Sequence, residues 1–210
     1  MKKRIGIACM SLGLALVLGA GLLLFHNRQQ DVRAREFARG VLPELRQTAY
    51  ETGEGAPEEA VLPLLSQTPV EVLTPEELAM TEKVIDGHSY VASLFVPDLG
   101  LELPVMSGWD YNLLQISPCR YTGTVRGKDL VIMAHNYPSH FGRFSELQPG
   151  ARVRLVDMDG NQWNYEVVAM DVLAAEDVAE MTAGAYDLTL FTCAANRTHR
   201  VTIRCNLVDV

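Results

Sequence analysis

Short segments that alternate apolar and polar residues, each ended by turn residues, fill the chain after Gly87. A period of two is typical of β-strands that bury one face. One helix-prone stretch, Asn112–Gln115, and one acidic loop at 174–186 interrupt the series. We therefore predict a mostly β fold, a closed β-barrel of about seven to eight strands with short helices. The predicted strands are 89–96, 99–105, 129–134, 151–157, 163–173, 188–193 and 200–208.

The N-terminal part of the chain has a different pattern. Residues 5–25 contain no charged side chain and follow the basic residues 2–4. These 21 residues would span roughly 30 Å as a helix, which matches the hydrocarbon core of a bilayer. The run is longer than most signal-peptide cores and lacks a clear small-x-small cleavage site at its end. We therefore predict a retained transmembrane helix rather than a cleaved signal.

The segment between this run and the strands is predicted to form a helical stalk. Apolar residues recur at helical spacing within 31–50, where Pro43 is expected to limit the helix. Residues 51–59 have the composition of a linker, and Thr74-Pro75 is a typical helix start. The predicted organisation is a membrane anchor at 1–25, a stalk or linker with helical segments at 26–81, and a barrel domain at 82–210.

Charge and cysteine content exclude several function classes. The chain has 18 basic and 26 acidic residues, and three of the basic ones precede the uncharged run. The rest carries a net charge of −11, which is a poor match for nucleic acid. Four cysteines without a C-x-x-C pair are too few and too scattered for a disulfide scaffold. Cys119 is expected to be structural or unpaired, with a Cys119–Cys205 disulfide as the alternative.

One cysteine lies where a nucleophile could act. A predicted strand ends at Cys193, and six residues separate it from a second strand that begins at Arg200. If the two strands pair as a hairpin, these side chains converge near its turn. Positive charge favours a thiolate, so a thiol beside a guanidinium is a candidate nucleophile. The alternative is a chance free cysteine beside a surface arginine. Cys205 falls on the apolar face of the second strand and is predicted to be buried.

A thiol nucleophile also needs a group that carries protons. His135 ends the apolar strand 130–134 and opens a loop, so it could face a cleft, although a capping histidine would look the same. His26, His88, His140 and His199 are expected to be solvated. No ligand spacing supports a zinc site from His135, His140 and Cys193.

Several of these segments together resemble the sortases, which are cysteine transpeptidases of Gram-positive cell surfaces. Residues 189–193, Thr-Leu-Phe-Thr-Cys, are similar to the family's TLxTC signature, and Arg200 matches the arginine that starts the next strand. Residues 132–136 and 141–147 are similar to the family's histidine segment. The early strands at 96–105 and the Tyr-Thr-Gly-Thr element at 121–124 add to the likeness, which covers about residues 86–210.

The resemblance implies a site and a reaction. His135, Cys193 and Arg200 are predicted to be catalytic, and Thr192, Ala134 and Asn136 to bind substrate. Arg197 and Arg204 stay open as alternatives to Arg200, because the interval from Cys193 to Arg200 is short. The implied reaction cleaves a C-terminal sorting motif through a thioacyl intermediate and transfers the acyl group to an amine. A membrane-tethered cysteine protease and a non-enzymatic surface β-barrel module are the alternatives.

The resemblance also implies partners and a location. The partners would be surface proteins with a C-terminal sorting motif, an amine acceptor of peptidoglycan or a pilin, and the membrane through residues 5–25. The location would be the cell membrane of a Gram-positive type cell, with a single pass and an extracellular catalytic domain. No cofactor is implied. In some members of the family acids in the loop that corresponds to 174–186 help bind calcium, but Glu176, Asp177 and Glu180 are expected here to form a solvated acidic face.

Overall fold

A computed structural model describes residues 2–53, 74–194 and 197–208, with the side chains of 2–9, 11 and 49–53 outside its description. The helices in this part are α1 (Lys2–Gly53), α2 (Pro75–Leu78), α3 (Tyr111–Leu114) and α4 (Val178–Met181). The strands are β1 (Lys83–Ile85), β2 (His88–Val96), β3 (Leu101–Met106), β4 (Cys119–Thr122), β5 (Leu130–Met133), β6 (Arg152–Asp157), β7 (Gln162–Ala174), β8 (Leu188–Cys193) and β9 (His199–Leu207).

The strands form one sheet that closes on itself. Their order is β1-β2-β3-β4-β5-β8-β9-β7-β6, and β6 also pairs with β2. Strands β2 to β9 thus make a closed barrel, with β1 added as a hairpin on β2. Among the described strands, only β3–β4 and β5–β8 pair in parallel. The prediction of a mostly β, closed barrel with short helices is confirmed.

Two strands were not predicted, and the predicted strands at 99–105 and 129–134 are shorter in the structure. β1 and β4 have three and four residues, too few for alternation to be recognised. The predicted strand at 99–105 begins only at Leu101, because a 3₁₀ turn at Pro97–Leu99 precedes it. Gly100 ends that turn with φ of 62°, a left-handed conformation that glycine adopts without strain.

The barrel interior holds the main apolar core. On β9, Ile203 and Cys205 point inward as the alternation predicted, and the burial of Cys205 is confirmed. Cys119 is also buried, but in a second cluster beneath α1. Both are free thiols, so the Cys119–Cys205 disulfide is not formed. The two residues belong to different apolar clusters, which explains why they do not pair.

Helix α1 covers both the predicted anchor and the predicted helical stretch. It continues through Pro43 up to Gly53, so the expectation that Pro43 limits the helix is wrong. One face of the helix packs on the barrel, which stabilises it across the proline. The buried residues on that face are Ala34, Ala38, Val41, Leu42 and Leu45.

The remaining N-terminal predictions have mixed outcomes. Within the described residues, no helix is both long and apolar enough to cross a membrane. The predicted transmembrane helix therefore gains no support here. Thr74 caps α2 with a complete capping box, as predicted. Of the predicted linker at 51–59, the first three residues belong to α1 and the others lie outside the described residues.

Candidate active site

Strands β5 and β8 run parallel and side by side, so their carboxyl ends meet at one edge of the barrel. Met133 pairs with Phe191, and the amide of Ala134 donates to the Phe191 carbonyl at 3.2 Å. His135 and Cys193 are each the second residue after that pair. The fold therefore brings together the two chain segments that carry the predicted imidazole and thiol.

Alternation along the two strands decides which face each side chain takes. Val131 and Phe191 pack in a small cluster on the outer face, whereas their strand neighbours point into the core. Residues two positions apart on a strand share a face, so Cys193 falls on the outer side with Phe191. The register places His135, two residues after the end of β5, at the same edge of the barrel.

The hairpin predicted from Cys193 and Arg200 is present. The two residues are directly opposite each other in the β8–β9 pairing, so their side chains share a face. The Arg200 guanidinium donates to the carbonyls of Arg197 at 3.3 Å and His199 at 3.2 Å. A guanidinium has five N–H donors, so these contacts leave others for a ligand.

Exposure separates Cys193 from the other thiols. It is half-buried, whereas Cys119 and Cys205 are fully buried. Burial raises the pKa of the Cys119 thiol, with a smaller contribution from Asp110, and raises that of the Cys205 thiol, in both cases to about 12. Those two thiols stay protonated and inaccessible. Of the cysteines with described side chains, Cys193 alone can meet a substrate.

Arg204, one of the alternatives to Arg200, has a different role. It is 2% exposed, and its guanidinium is surrounded by acceptors. They are the Asp171 carboxylate at 3.0 Å, the Thr189 hydroxyl at 3.2 Å, and the carbonyls of Met181 at 3.0 Å and Glu180 at 2.7 Å. Arg204 therefore fastens α4 and the loop around it to the barrel wall and has little capacity left for a ligand.

Arg197, the other alternative, lies exposed in the loop between β8 and β9 with φ of 61°. Burial lowers the pKa of the His135 imidazole, and the positive charge of Arg197 lowers it further. The imidazole is therefore within electrostatic range of the loop that follows Cys193. Both effects keep His135 neutral at neutral pH, the form that accepts a proton.

The three predicted substrate-binding residues differ in accessibility. Thr192 and Ala134 are buried, and the Thr192 hydroxyl donates to the Ala134 carbonyl at 2.8 Å. This bond ties the end of β8 to the backbone just before His135. Asn136, the next residue, is exposed. A substrate contact is thus sterically open to Asn136, while the other two residues act through the backbone they connect.

Sequence reasoning missed two residues in the loop after His135. Tyr137 is buried, and its ring lies between those of His135, at a centroid distance of 5.0 Å, and His140, at 5.6 Å. His140 is 1% exposed, so the expectation that it is solvated is wrong. Three aromatic side chains close together in one loop were the available signal. Each of these side chains can be buried because the other two cover part of its surface.

Burial and charge act on His140 in opposite directions. Burial lowers the pKa of His140 to about 4 and proximity to His135 adds to this, while Asp31 and the Ile116 backbone oppose it. Neither ring nitrogen has a hydrogen-bond partner with good geometry. His140 is therefore a neutral packing residue at neutral pH.

The acidic loop holds no arranged ligand set in the described residues. No group of three or more His, Cys, Asp or Glu side chains there is positioned to hold a metal ion. The Asp177 carboxylate accepts the amide N–H of Ala174 at 3.2 Å, which gives it a local structural role.

The family model of the sortase domain matches residues 94–208, more than half of the chain. The chain belongs to the sortase family. Members of this family are cysteine transpeptidases, and this is the enzyme class of the chain. A comparison with curated proteins gave no significant match.

Solved sortases share the fold at low sequence identity. A sortase D5 transpeptidase from Clostridium perfringens matches with a TM-score of 0.57 and 15% identity, over 83% of this chain and 99% of that one. Sortase C from C. perfringens SM101 has a TM-score of 0.53 and 18% identity, over 83% and 91%. Sortase C1 from Streptococcus suis has a TM-score of 0.52 and 22% identity, over 58% and 74%. Neighbours of different sortase types leave the subclass of this sortase unassigned.

Proposed function

We propose that the chain cleaves the C-terminal sorting motif of surface proteins and joins them to an amine of peptidoglycan or of a pilin, with Cys193 as nucleophile. The observation that carries the proposal is the register of three adjacent strands. The parallel strands β5 and β8 end two residues before His135 and at Cys193, and Arg200, the second residue of β9, pairs with Cys193. Acyl transfer through a thioester uses a thiol nucleophile, a group that carries protons and a donor to the oxyanion, and these three side chains can fill the three roles.

In the first half-reaction the Cys193 sulfur attacks the carbonyl carbon of the scissile amide. The C–N bond breaks, the thiol proton reaches the leaving amine through His135, and a thioester remains on Cys193. In the second half, an amine attacks the thioester and gives its proton to His135. The C–S bond breaks, the proton returns to the sulfur, and the product is a new amide.

Arg200 is proposed to stabilise the oxyanion that forms in both halves. Its charge persists at any working pH, and its planar set of donors suits a carbonyl oxygen that gains negative charge. The side chain shares a face with Cys193 because the two residues are paired across the hairpin. We propose that no cofactor takes part, since these three side chains supply every group the reaction needs; unchanged turnover in EDTA would agree.

Membrane attachment through residues 5–25 is part of the proposal. It is supported by 21 residues without charge behind three basic residues. It is also supported by the exposure of the apolar side chains from Leu12 to Phe25 on α1. Fractionation of cells that express the full chain would test it. Recovery in the soluble fraction without detergent would contradict it.

The decisive experiment incubates the full chain with a library of sorting-type peptides, with and without candidate amines, and follows products by mass spectrometry. We expect a thioacyl adduct on Cys193 and an amide product when an acceptor is present. Cys193→Ala should abolish both, and Cys119→Ala serves as the matched control. Cleavage to the free acid at an unchanged rate, whatever amine is added, would identify a cysteine protease. Turnover of peptides by Cys193→Ala would refute both the transpeptidase and the cysteine protease hypotheses.

A further inference from the structure

In the described residues, neither ring nitrogen of His135 makes a hydrogen bond, so packing must set the orientation of this ring. The ring that packs on it is Tyr137, with the two planes tilted by 33°. A proton carrier that serves a thiol and two amines in turn must keep a defined orientation. The orientation of the His135 ring therefore depends on the contacts that fix Tyr137.

The contact that fixes Tyr137 comes from the N-terminal helix. The Tyr137 hydroxyl donates to Oε1 of Gln30, on α1, at 2.7 Å. The Gln30 amide nitrogen lies 2.9 Å from the ring of His26, one helical turn earlier, which sets the orientation of the amide. Burial raises the pKa of Tyr137, and the negative charge of Asp31 raises it further, so the phenol keeps the proton that it donates.

A second contact joins the same helix to the same loop. Asp31 accepts the amide N–H of Ser139 on its carboxylate at 2.8 Å and the Ser139 hydroxyl on its carbonyl at 3.3 Å. The loop itself is tight, because the amides of His140 and Gly142 both donate to the Tyr137 carbonyl at 2.9 Å. A Cβ at Gly142 would lie 2.5 Å from the Asn136 carbonyl oxygen, so the turn requires glycine. The loop is closely hydrogen-bonded, and two adjacent residues of α1, Gln30 and Asp31, hold it at Tyr137 and Ser139.

The helix can hold the loop because the helix is itself fixed. Val41 and Leu45 of α1 are buried in the cluster that includes Tyr90 and Met106 of the barrel. The Arg46 guanidinium makes a bidentate ion pair with Glu102 on β3. These contacts determine where Gln30 and Asp31 lie relative to the barrel.

We propose that Tyr137 is a positioning residue for His135 and that Gln30 fixes Tyr137, so that helix α1 forms part of the active site. The inference rests on the proposed role of His135. Among the described residues, the charged or titratable groups that touch or act on this imidazole are Arg197 from the β8–β9 loop and Tyr137 and His140 from its own loop. Asp31 of α1 in turn raises the pKa of Tyr137 and of His140.

The test compares Tyr137→Phe, Gln30→Leu and their double variant in the full chain. Tyr137→Phe keeps the ring and removes the hydroxyl, and Gln30→Leu removes the acceptor with little change in volume. We expect each to lower kcat by about three- to tenfold with KM unchanged. This is the change in rate that corresponds to the free energy of one hydrogen bond. The double variant should be no worse than either single one, because all three lack the same bond. Gln29→Leu, at the exposed neighbouring position, is the control.

A freer His135 ring would be better solvated, so its pKa should rise and the acid limb of the rate profile should move to higher pH. A purely structural contact would lower the melting temperature and leave this profile in place. The pH dependence of Cys193 alkylation by iodoacetamide reports the same imidazole without any peptide. If this profile shifts but no peptide is turned over, the positioning role stands and the proposed function fails. Wild-type kcat and pH profiles in both single variants, or additive losses in the double one, would overturn the inference.

Discussion

The two arginines nearest Cys193 differ in what holds them. Arg200 belongs to a strand and is paired across the hairpin with Cys193, so its side chain has a fixed origin on the face of the thiol. Arg197 is exposed in the connecting loop, and its positive charge lowers the pKa of His135. We infer that Arg200 stabilises the oxyanion and that Arg197 tunes the imidazole.

Substitution of the two residues should separate these roles. Arg200→Ala should lower kcat/KM by about 10²–10³-fold, the loss typical of a removed oxyanion donor. Arg197→Ala should cost much less, and it should shift the acid limb of the pH profile to higher pH, because a charge that lowers the His135 pKa is lost. Steady-state kinetics from pH 5 to 9 would measure both, with Arg152→Ala as a surface control. A larger loss in Arg197→Ala than in Arg200→Ala would reverse the assignment.

The sequence predicted the residues that lie on strand ends and failed for those whose surroundings are distant along the chain. Cys193 and Arg200 were placed opposite each other because a strand, a turn and a strand are local features, and that pairing is confirmed. Tyr137 was missed because its partner Gln30 is 107 positions away. A local pattern in the sequence cannot predict a contact between residues so far apart, such as Tyr137 and Gln30. His140 was misjudged for the same reason, since a loop position alone does not reveal what covers it.

At the scale of elements, two buried side chains hold the loop between β7 and β8 on the barrel: Arg204 of β9, and Met181 of α4, which packs with Val131 and Phe191. Arg204 contacts the carbonyls of Glu180 and Met181 in α4, while its other contacts lie on β7 and β8. The Tyr186 ring covers the guanidinium at 5.1 Å. Helix α4 has four residues and little intrinsic stability, so its position depends on the Arg204 hydrogen bonds together with the packing of Met181.

Replacing Arg204 should loosen the loop between β7 and β8 while the barrel remains folded. Arg204→Met removes the donors and leaves two carbonyls and a half-exposed Asp171 without their partner, at a cost of about 2–4 kcal/mol in unfolding free energy. Urea denaturation would measure the loss, and hydrogen exchange should show it concentrated at 175–187. Arg152→Met, which removes an exposed ion pair with Glu166, is the control and should change little. Exchange in this loop as slow as in the native protein would contradict the anchoring role.

At the scale of the whole molecule, His140 links stability to pH. Its pKa in the folded protein is about 4, below the ordinary value near 6.5 for an unfolded chain. The unfolded state therefore binds more protons between these two values, and stability falls as the pH drops through that window. Above pH 7 this contribution to stability is fully present.

From pH 7 to 4.5 this one group should lower the unfolding free energy by about 2 kcal/mol. His140→Phe keeps a ring against Tyr137 and removes two buried nitrogens that lack hydrogen bonds, so the acid-induced loss should shrink by that amount. Urea denaturation at a series of pH values would measure it. The control is His88→Phe, at a histidine that is only half-buried. Identical slopes for His140→Phe and the native chain would show that other groups govern acid sensitivity.

The short interval between Phe25 and Gln30 has a geometric consequence. Four residues separate the end of the uncharged run from the first side chain that touches the loop behind His135. At 1.5 Å per residue this stretch of α1 rises about 8 Å, close to the depth of one headgroup layer. With residues 5–25 inserted in a bilayer, the enzyme would work at the lipid surface instead of at the end of a long tether. An acceptor amine would then have to come to it while still at the membrane, before its incorporation into the outer wall.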